Sequence, residues 1–277
     1  MTATSLDALP PAPALSLAGV TCTFADKADP GRRYTAVRDV TLAVAAGEFV
    51  SVVGPTGCGK STLLNVAAGL LSPSSGTVEV FGTPLAGINR RAGYMFQTDS
   101  LMPWRTALQN VTAGLEFRGS ARPEEQAQEW LRRVGLGAFG DRYPHQLSGG
   151  MRKRVGLAQT LVLDPDIILM DEPFSALDVQ TRTVMHEELL KLWAERQASV
   201  VFVTHDLEEA VALADKVYVL TAGPGTVKSV YRIDLPRPRV MADIRYDPKF
   251  IEIAKVIWND LREEVQLGQS RGLQTGH

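Results

Sequence analysis

The segment Gly54-Pro55-Thr56-Gly57-Cys58-Gly59-Lys60-Ser61-Thr62 sets glycines, a lysine and hydroxyls at the spacing G-x-x-x-x-G-K-S. Glycines at these intervals let the backbone curl so that successive N–H groups point inward, forming a cradle for a polyphosphate. Lys60 would then reach the β- and γ-phosphates, the Ser61 hydroxyl suits Mg2+, and Thr62 assists at the α- and β-phosphates. Cys58 reads as a small filler inside the loop, one whose modification would cost activity. A nearly continuous apolar run, 48–53, precedes the loop as a buried strand would, and a helix is predicted over 60–71 after it. That helix turns the positive end of its dipole toward the same anion.

A second apolar run, 167–170, ends in the adjacent carboxylates Asp171 and Glu172. Successive strand side chains point to opposite faces, so the two acids are expected to do different work. Asp171 is placed to hold Mg2+ through water beside the loop. Glu172 is placed to polarise an attacking water or take its proton. Pro173 argues against the alternative, a polar strand end that caps a helix. Gln97 and His205 follow the runs 93–96 and 200–204, and in parallel α/β sheets ligands gather at the carboxyl ends of strands. Gln97 can touch metal and water without fixing a proton state, and His205 can donate to a γ-phosphate oxygen. Either alone would more often be structural; their shared placement points to function. His145 and His186 lack that placement and read as surface residues.

Periodicity outlines the elements that must carry these groups. Strand-like runs at 15–24, 40–44 and 48–53 open the chain, and another at 77–81 follows the breaker Pro73-Ser74-Ser75-Gly76. From 101 to 134 the pattern turns helical, with Ala127, Trp130, Leu131 and Val134 on one face. Strand and helix then alternate through 167–170, 179–197, 200–204, 207–214 and 217–221, which predicts a parallel α/β core interrupted by a helical insert. Residues 1–13 read as a mobile lead. Pro236-Arg237-Pro238 reads as a linker into an amphipathic helix over 248–265. The 29 basic residues nearly balance 31 acidic ones, which excludes attachment to nucleic acid or anionic lipid by bulk charge. Two cysteines make no disulfide framework. No apolar run approaches the ~18 residues of a membrane helix, and Lys27, the first basic residue, comes too late for a secretory signal. The expectation is a soluble, cytoplasmic chain.

Leu147-Ser148-Gly149-Gly150-Met151 opens a basic helix, a second anion site by the same physics. Two cradles and one magnesium strand make a puzzle unless the cradles belong to different copies. With GPTGCGKST, Gln97, LSGGM, ILMDEP, the SALD of 175–178 and His205 in this order, the sequence resembles the ATP-binding-cassette (ABC) ATPases over about 15–235. The resemblance implies an α/β fold: a P-loop NTPase (RecA-like) core with an N-terminal antiparallel β region and an inserted α-helical subdomain. The cassette would span 14–235, with the insert at about 98–154, and the linker and C-terminal helix would occupy 236–277. It implies ATP and Mg2+ as cofactors. It also implies a head-to-tail homodimer, in which Ser148, Gly149 and Gly150 of one copy close on ATP held by the other's loop and Asp178 links the two sites. Met151 stands where Gln is commoner, and Gln159-Thr160 where Arg-Ala is frequent; none of these touches phosphate in the family. Phe24 or Tyr34 would stack on adenine, worth ~1–3 kcal/mol. The choice is open because 25–33 looks like an insertion, and Phe24 also fits plain strand core.

Beyond Gln97, the apolar Leu101, Met102 and Trp104 have the composition of an exposed docking loop, with core packing as the alternative. FQxxxLMPWRTALQNV is similar to the importer subgroup for nitrate, alkanesulfonates and taurine. In that subgroup this region receives a coupling helix. The resemblance thus implies two transmembrane permease subunits docking near Leu101, Met102 and Trp104, a separate solute-binding protein, no nucleic acid, and a place on the cytoplasmic face of the membrane. The 243–248 segment is similar to the same subgroup. A soluble ABC ATPase acting on DNA or ribosomes is the alternative; such proteins usually need a long coiled coil or two cassettes in one chain, and neither is evident. The solute is chosen by the permease and binding protein.

Overall fold

The computed structural model describes residues 12–25, 31, 33–175 and 177–274. Most of the expected lead and part of the 25–33 insertion therefore lie outside the described residues. In chain order come β1 (Leu15–Ala25), β2 (Arg33–Val44), β3 (Phe49–Val53), α1 (Lys60–Ala67), β4 (Ser75–Val80), β5 (Thr83–Pro84) and β6 (Ala92–Met95). The helices α2 (Ala107–Phe117), α3 (Pro123–Arg133) and α4 (Gly149–Leu161) follow. Then come β7 (Ile167–Asp171), α5 (Val179–Arg196), β8 (Ser199–Val203), α6 (Leu207–Leu213) and β9 (Lys216–Leu220). The chain closes with β10 (Val227–Arg232), α7 (Met241–Ile244) and α8 (Pro248–Gln274).

Strands β10-β9-β3-β8-β7-β6 form the main sheet in that order, with β10 antiparallel on one edge and the rest parallel. The continuous apolar runs of β3, β7 and β8 are buried at every position, as a sheet covered on both faces requires. Alternation divides them between two cores. Phe49, Val53, Met170 and Phe202 face the helices of the insert and α8, while Val50, Val52, Leu169 and Val201 face α1 and the small antiparallel sheet β2-β1-β4-β5. The register pairs Val52 with Val203, Asp171 with Val203, and Met95 with Met170. The carboxyl ends of β3, β6, β7 and β8 therefore finish along one edge. The expected α/β core, N-terminal antiparallel region and helical insert are all present.

The elements depart from the periodic reading in several places. Residues 101–106, expected to be helical, are a loop, because Thr106 caps α2 by accepting from Gln109 N. Buried Asn110 reaches back to bond Met102 N, Met102 O and Arg105 O, holding that loop in place. α1 stops at Ala67, short of Leu71, where Gly69 takes φ +70 and lies against Gly87 O, leaving no room for a Cβ. β10 was not expected; as a half-exposed edge strand it has no continuous apolar run. The Pro236-Arg237-Pro238 segment is firmly held: Arg237 bonds Asp215 and lies over the Trp193 ring, while buried Arg239 bonds carbonyls of 211, 212 and 214. Among the described residues no helix is long and apolar enough to cross a membrane.

Candidate active site

The loop leaving β3 turns into α1 through Gly59, whose φ of +96 and approach to Val37 both exclude a side chain. Lys60, 6% exposed, donates to Gly54 O at 2.8 Å and Pro55 O at 3.0 Å. Its ammonium thus sits within the curl of the loop. Cys58 is buried behind the loop. Burial pushes its thiol pKa up against the opposing charge of Lys60, which suits the filler reading.

Opposite the loop, β7 ends at Asp171, and Glu172 turns away with φ +43, an uncommon conformation for a non-glycine residue. Glu172 N bonds Val203 O at 2.9 Å, and Ser175 donates to Glu172 O. Both contacts hold the strained residue in place, and strain of this kind clusters at functional sites. Its Oε2 accepts from Gln97 Nε2 at 3.2 Å and lies 3.2 Å from His205 Nδ1. The two acids do point to different environments, but through this turn as well as through strand alternation.

A cleft of about 560 Å³ is lined by Tyr34, Ala36, Thr56, Gly57, Gly59, Lys60, Ser61, Thr62, Gln97, Glu172 and His205. The ends of β3, β6, β7 and β8 deliver all of these residues to one place except Tyr34 and Ala36, which come from the start of β2. Asp171 lies deeper, 7% exposed, beside the Ser61 hydroxyl. Burial raises its carboxyl pKa, the Ser61 hydroxyl opposes this, Glu172 raises it again and Lys60 lowers it, with a net rise. Its Oδ1 is buried without a hydrogen-bond partner. An orphaned carboxylate oxygen beside a serine hydroxyl fits a hard cation such as Mg2+, which takes few protein ligands and completes its shell with phosphate and water. Phe24 stacks behind Tyr34 at 5.4 Å, half-buried against the strand core, and it is Tyr34 that lines the cleft.

The second glycine loop is elsewhere. Ser148 caps α4 by accepting from Met151 N, and Ser148, Gly149 and Gly150 do not line the cleft. A Cβ on Gly150 would meet Thr181 Cγ2 at 2.7 Å, so α4 begins hard against α5. There Asp178 caps α5, accepting from Thr181 N and Oγ1, bonds that hold its carboxyl below its ordinary pKa. Thr181 thus brings the start of α4 beside the Asp178 cap, and neither the loop nor Asp178 lines the cleft.

Two groups escaped the sequence reading. Arg152 and Lys153 on α4 bond Asp99 at 2.7 and 3.2 Å, and Lys153 also donates to Gln97 O at 2.7 Å. Burial raises the Asp99 carboxyl, but these bonds outweigh it and leave the pKa lowered. An acid two residues beyond Gln97 was the available signal. His186 is not a surface residue: it is 4% exposed, on the α5 face of Met185 and Leu189, and its Nε2 lies 2.5 Å from Glu209 Oε1. Thr204 bonds the other Glu209 oxygen and accepts from Asp206 N, so the turn holding His205 is anchored in the core. His145 is exposed, as expected, and stacks on Tyr143. Of the expected docking cluster, Trp104 is 72% exposed and Met102 half-buried. Leu101 is only 9% exposed and belongs to the main core, because Asn110 draws the loop inward.

The ABC transporter family profile matches residues 37–175. An uncharacterized ABC transporter ATP-binding protein of Methanocaldococcus jannaschii is 49% identical over 85% of this chain and 87% of its own length. The nitrate import ATP-binding protein NrtD of Synechocystis is 43% identical over 82% of this chain and 88% of its own. The taurine import ATP-binding protein TauB of Yersinia pestis is 43% identical over 78% and 87%. The dimeric post-hydrolysis ATP-binding cassette MJ0796, bound to ADP and Pi, superposes with a TM-score of 0.72 at 33% identity, covering 80% of this chain and all of that one. A phosphate loop, a carboxylate pair and a separate second glycine loop, in a chain with these relatives, establish that the protein belongs to the ABC transporter family as an ATP-binding ATPase.

Proposed function

We propose that this chain is the ATPase subunit of an importer, coupling MgATP hydrolysis to uptake of a small solute such as nitrate, a sulfonate or taurine. The observation that carries the proposal is the convergence of Gln97 and His205 on Glu172 across the cleft from Lys60 and Ser61. Lys60, the inward N–H groups and the α1 dipole balance the triphosphate charge. Glu172 takes the proton of the attacking water, Gln97 orients Glu172 and that water, and His205 donates to a γ-phosphate oxygen as charge builds there. Ser61 and Asp171 would hold Mg2+, which neutralises charge on the β- and γ-oxygens when bound. Tyr34, rather than Phe24, takes the adenine.

The cleft receives no group from the second glycine loop of its own chain. A second copy supplies Ser148 and Gly150 to complete it, a reading supported by the dimeric cassettes this chain resembles. Arg152 and Lys153 then tie that loop, through Asp99 and Gln97, to the segment carrying Trp104. A permease helix seated on Trp104 and Met102 would thereby sense whether the dimer is closed, with the chain held at the cytoplasmic face of the membrane. The import relatives and the exposure of Trp104 support this part of the reading.

Trp104→Ala tests it. An aromatic anchor at the centre of an interface is worth about 2 kcal/mol or more, so permease association should weaken by roughly thirtyfold. ATPase activity of the isolated subunit should stay within about twofold, since only surface packing changes. Unchanged co-purification with the permease would remove the docking assignment. Uptake of nitrate, an alkanesulfonate and taurine by a deletion strain would identify the solute.

A further inference from the structure

The long C-terminal helix has no part in the mechanism above, yet it packs against the phosphate loop. Buried Phe250, Ile257 and Leu261 seat α8 on the main core, against α6 and β9. Asp260 accepts from Ser229 Oγ at 2.7 Å and Tyr231 OH at 2.5 Å, which fastens the helix to β10. One turn further on, Glu264 is 7% exposed, and both its oxygens are used. Oε2 accepts from Ala222 N at 2.9 Å, and Oε1 lies 3.1 Å from Lys228 Nζ. A buried carboxylate held this way fixes its partners, because leaving either group unpaired is costly.

Ala222 belongs to the turn between β9 and β10, which backs the phosphate loop. Gly225 in that turn bonds Ala36 O through its N–H, and any Cβ on it would fall 2.0 Å from Cys58 O. A Cβ on Gly268 would stand 3.4 Å from Pro55 Cβ and 3.9 Å from Ala222 Cβ, so α8 packs against the loop at Gly268. Pro55 O is one of the two carbonyls bonded by Lys60.

We propose that α8 is a strut that holds the phosphate loop in its binding conformation, with Glu264 as a positioning residue acting through the Ala222 turn. ATP affinity is thereby linked to the seating of the tail, so a partner that lifted α8 would loosen nucleotide without touching the cleft. The proposal rests on the phosphate-loop assignment made above.

Glu264→Ala, Glu264→Asp and Glu264→Gln in the full chain test it, by titration with a fluorescent ATP analogue and by steady-state hydrolysis. The alanine and aspartate variants cannot reach Ala222 N. They should raise Kd and KM for ATP by about two- to tenfold, the worth of one hydrogen bond, with kcat at saturation retained. Glutamine keeps an acceptor at the same reach and should stay near wild type. A merely structural role would lower the active fraction and so the maximal rate at constant KM. That result, or unchanged Kd and KM in the aspartate variant, overturns the proposal. If Glu264→Ala does not fold, the aspartate and glutamine pair still decides, because a role through the Lys228 charge alone would spare aspartate and impair glutamine. Lys60→Ala belongs in the same titration. If it too retains ATP, the phosphate-loop assignment fails; if it loses ATP while the Glu264→Asp constants are unchanged, only the strut fails.

Discussion

Replacing Glu172 with Gln should lower kcat by about 10²–10⁴-fold, the usual contribution of a positioned general base, while leaving ATP affinity within a few-fold of wild type. The substitution keeps the shape of the side chain and an oxygen for the Gln97 Nε2 contact, but removes the capacity to take a proton. In the proposal the main phosphate contacts come from the opposite wall, from Lys60, Ser61 and the loop N–H groups, and the substitution leaves these residues untouched. ATP would then persist between two copies, so the variant should sediment as a dimer under MgATP and as a monomer without it. Retention of more than about a tenth of the wild-type rate is too much for a lost general base and would assign the proton to another group. A monomer under saturating MgATP would remove the trapped dimer.

Lys60→Ala is the other large effect. The ammonium is almost fully buried, and in the proposal it neutralises the β- and γ-phosphates. Truncating one partner of a buried charged pair costs about 2–5 kcal/mol, so ATP should bind roughly thirtyfold to several-thousandfold more weakly. Hydrolysis should disappear at ordinary ATP concentrations. Circular dichroism should stay unchanged, since the side chain donates only to two loop carbonyls. Near-normal affinity by calorimetric titration would take the phosphates away from this loop.

How much of this was legible in the sequence follows from which interactions are local. The loop at Gly54, the acids at Asp171 and Glu172, and the buried strands before them are continuous patterns, readable because a strand covered on both faces must be apolar throughout. Gln97 and His205 were reachable because sheet topology, rather than sequence distance, brings strand ends together. His186 was misread because one polar residue on a buried helix face looks like any exposed one until its partner is known, and Glu209 is contributed by α6. Leu101 was misread for a similar reason: Asn110, a polar residue inside a helix, folds the preceding loop inward. The positive φ of Glu172 and the strut from Glu264 to Ala222 have no local signal. Both depend on backbone atoms that only the folded chain brings into range.

In the proposal, each hydrolytic site is completed by the second glycine loop of another copy. A mixing measurement addresses it directly. Lys60→Ala keeps an intact Ser148–Gly150 loop but binds ATP too weakly to hydrolyse it at ordinary concentrations. A bulky replacement, Ser148→Arg, keeps an intact phosphate loop but cannot close on a partner. ATPase rates are measured for each variant alone and for an equimolar mixture. Both variants should be inactive alone, and the mixture should hydrolyse ATP well above the sum, because mixed dimers contain one complete site. Full activity of Ser148→Arg alone would mean that one chain suffices and would contradict the claim.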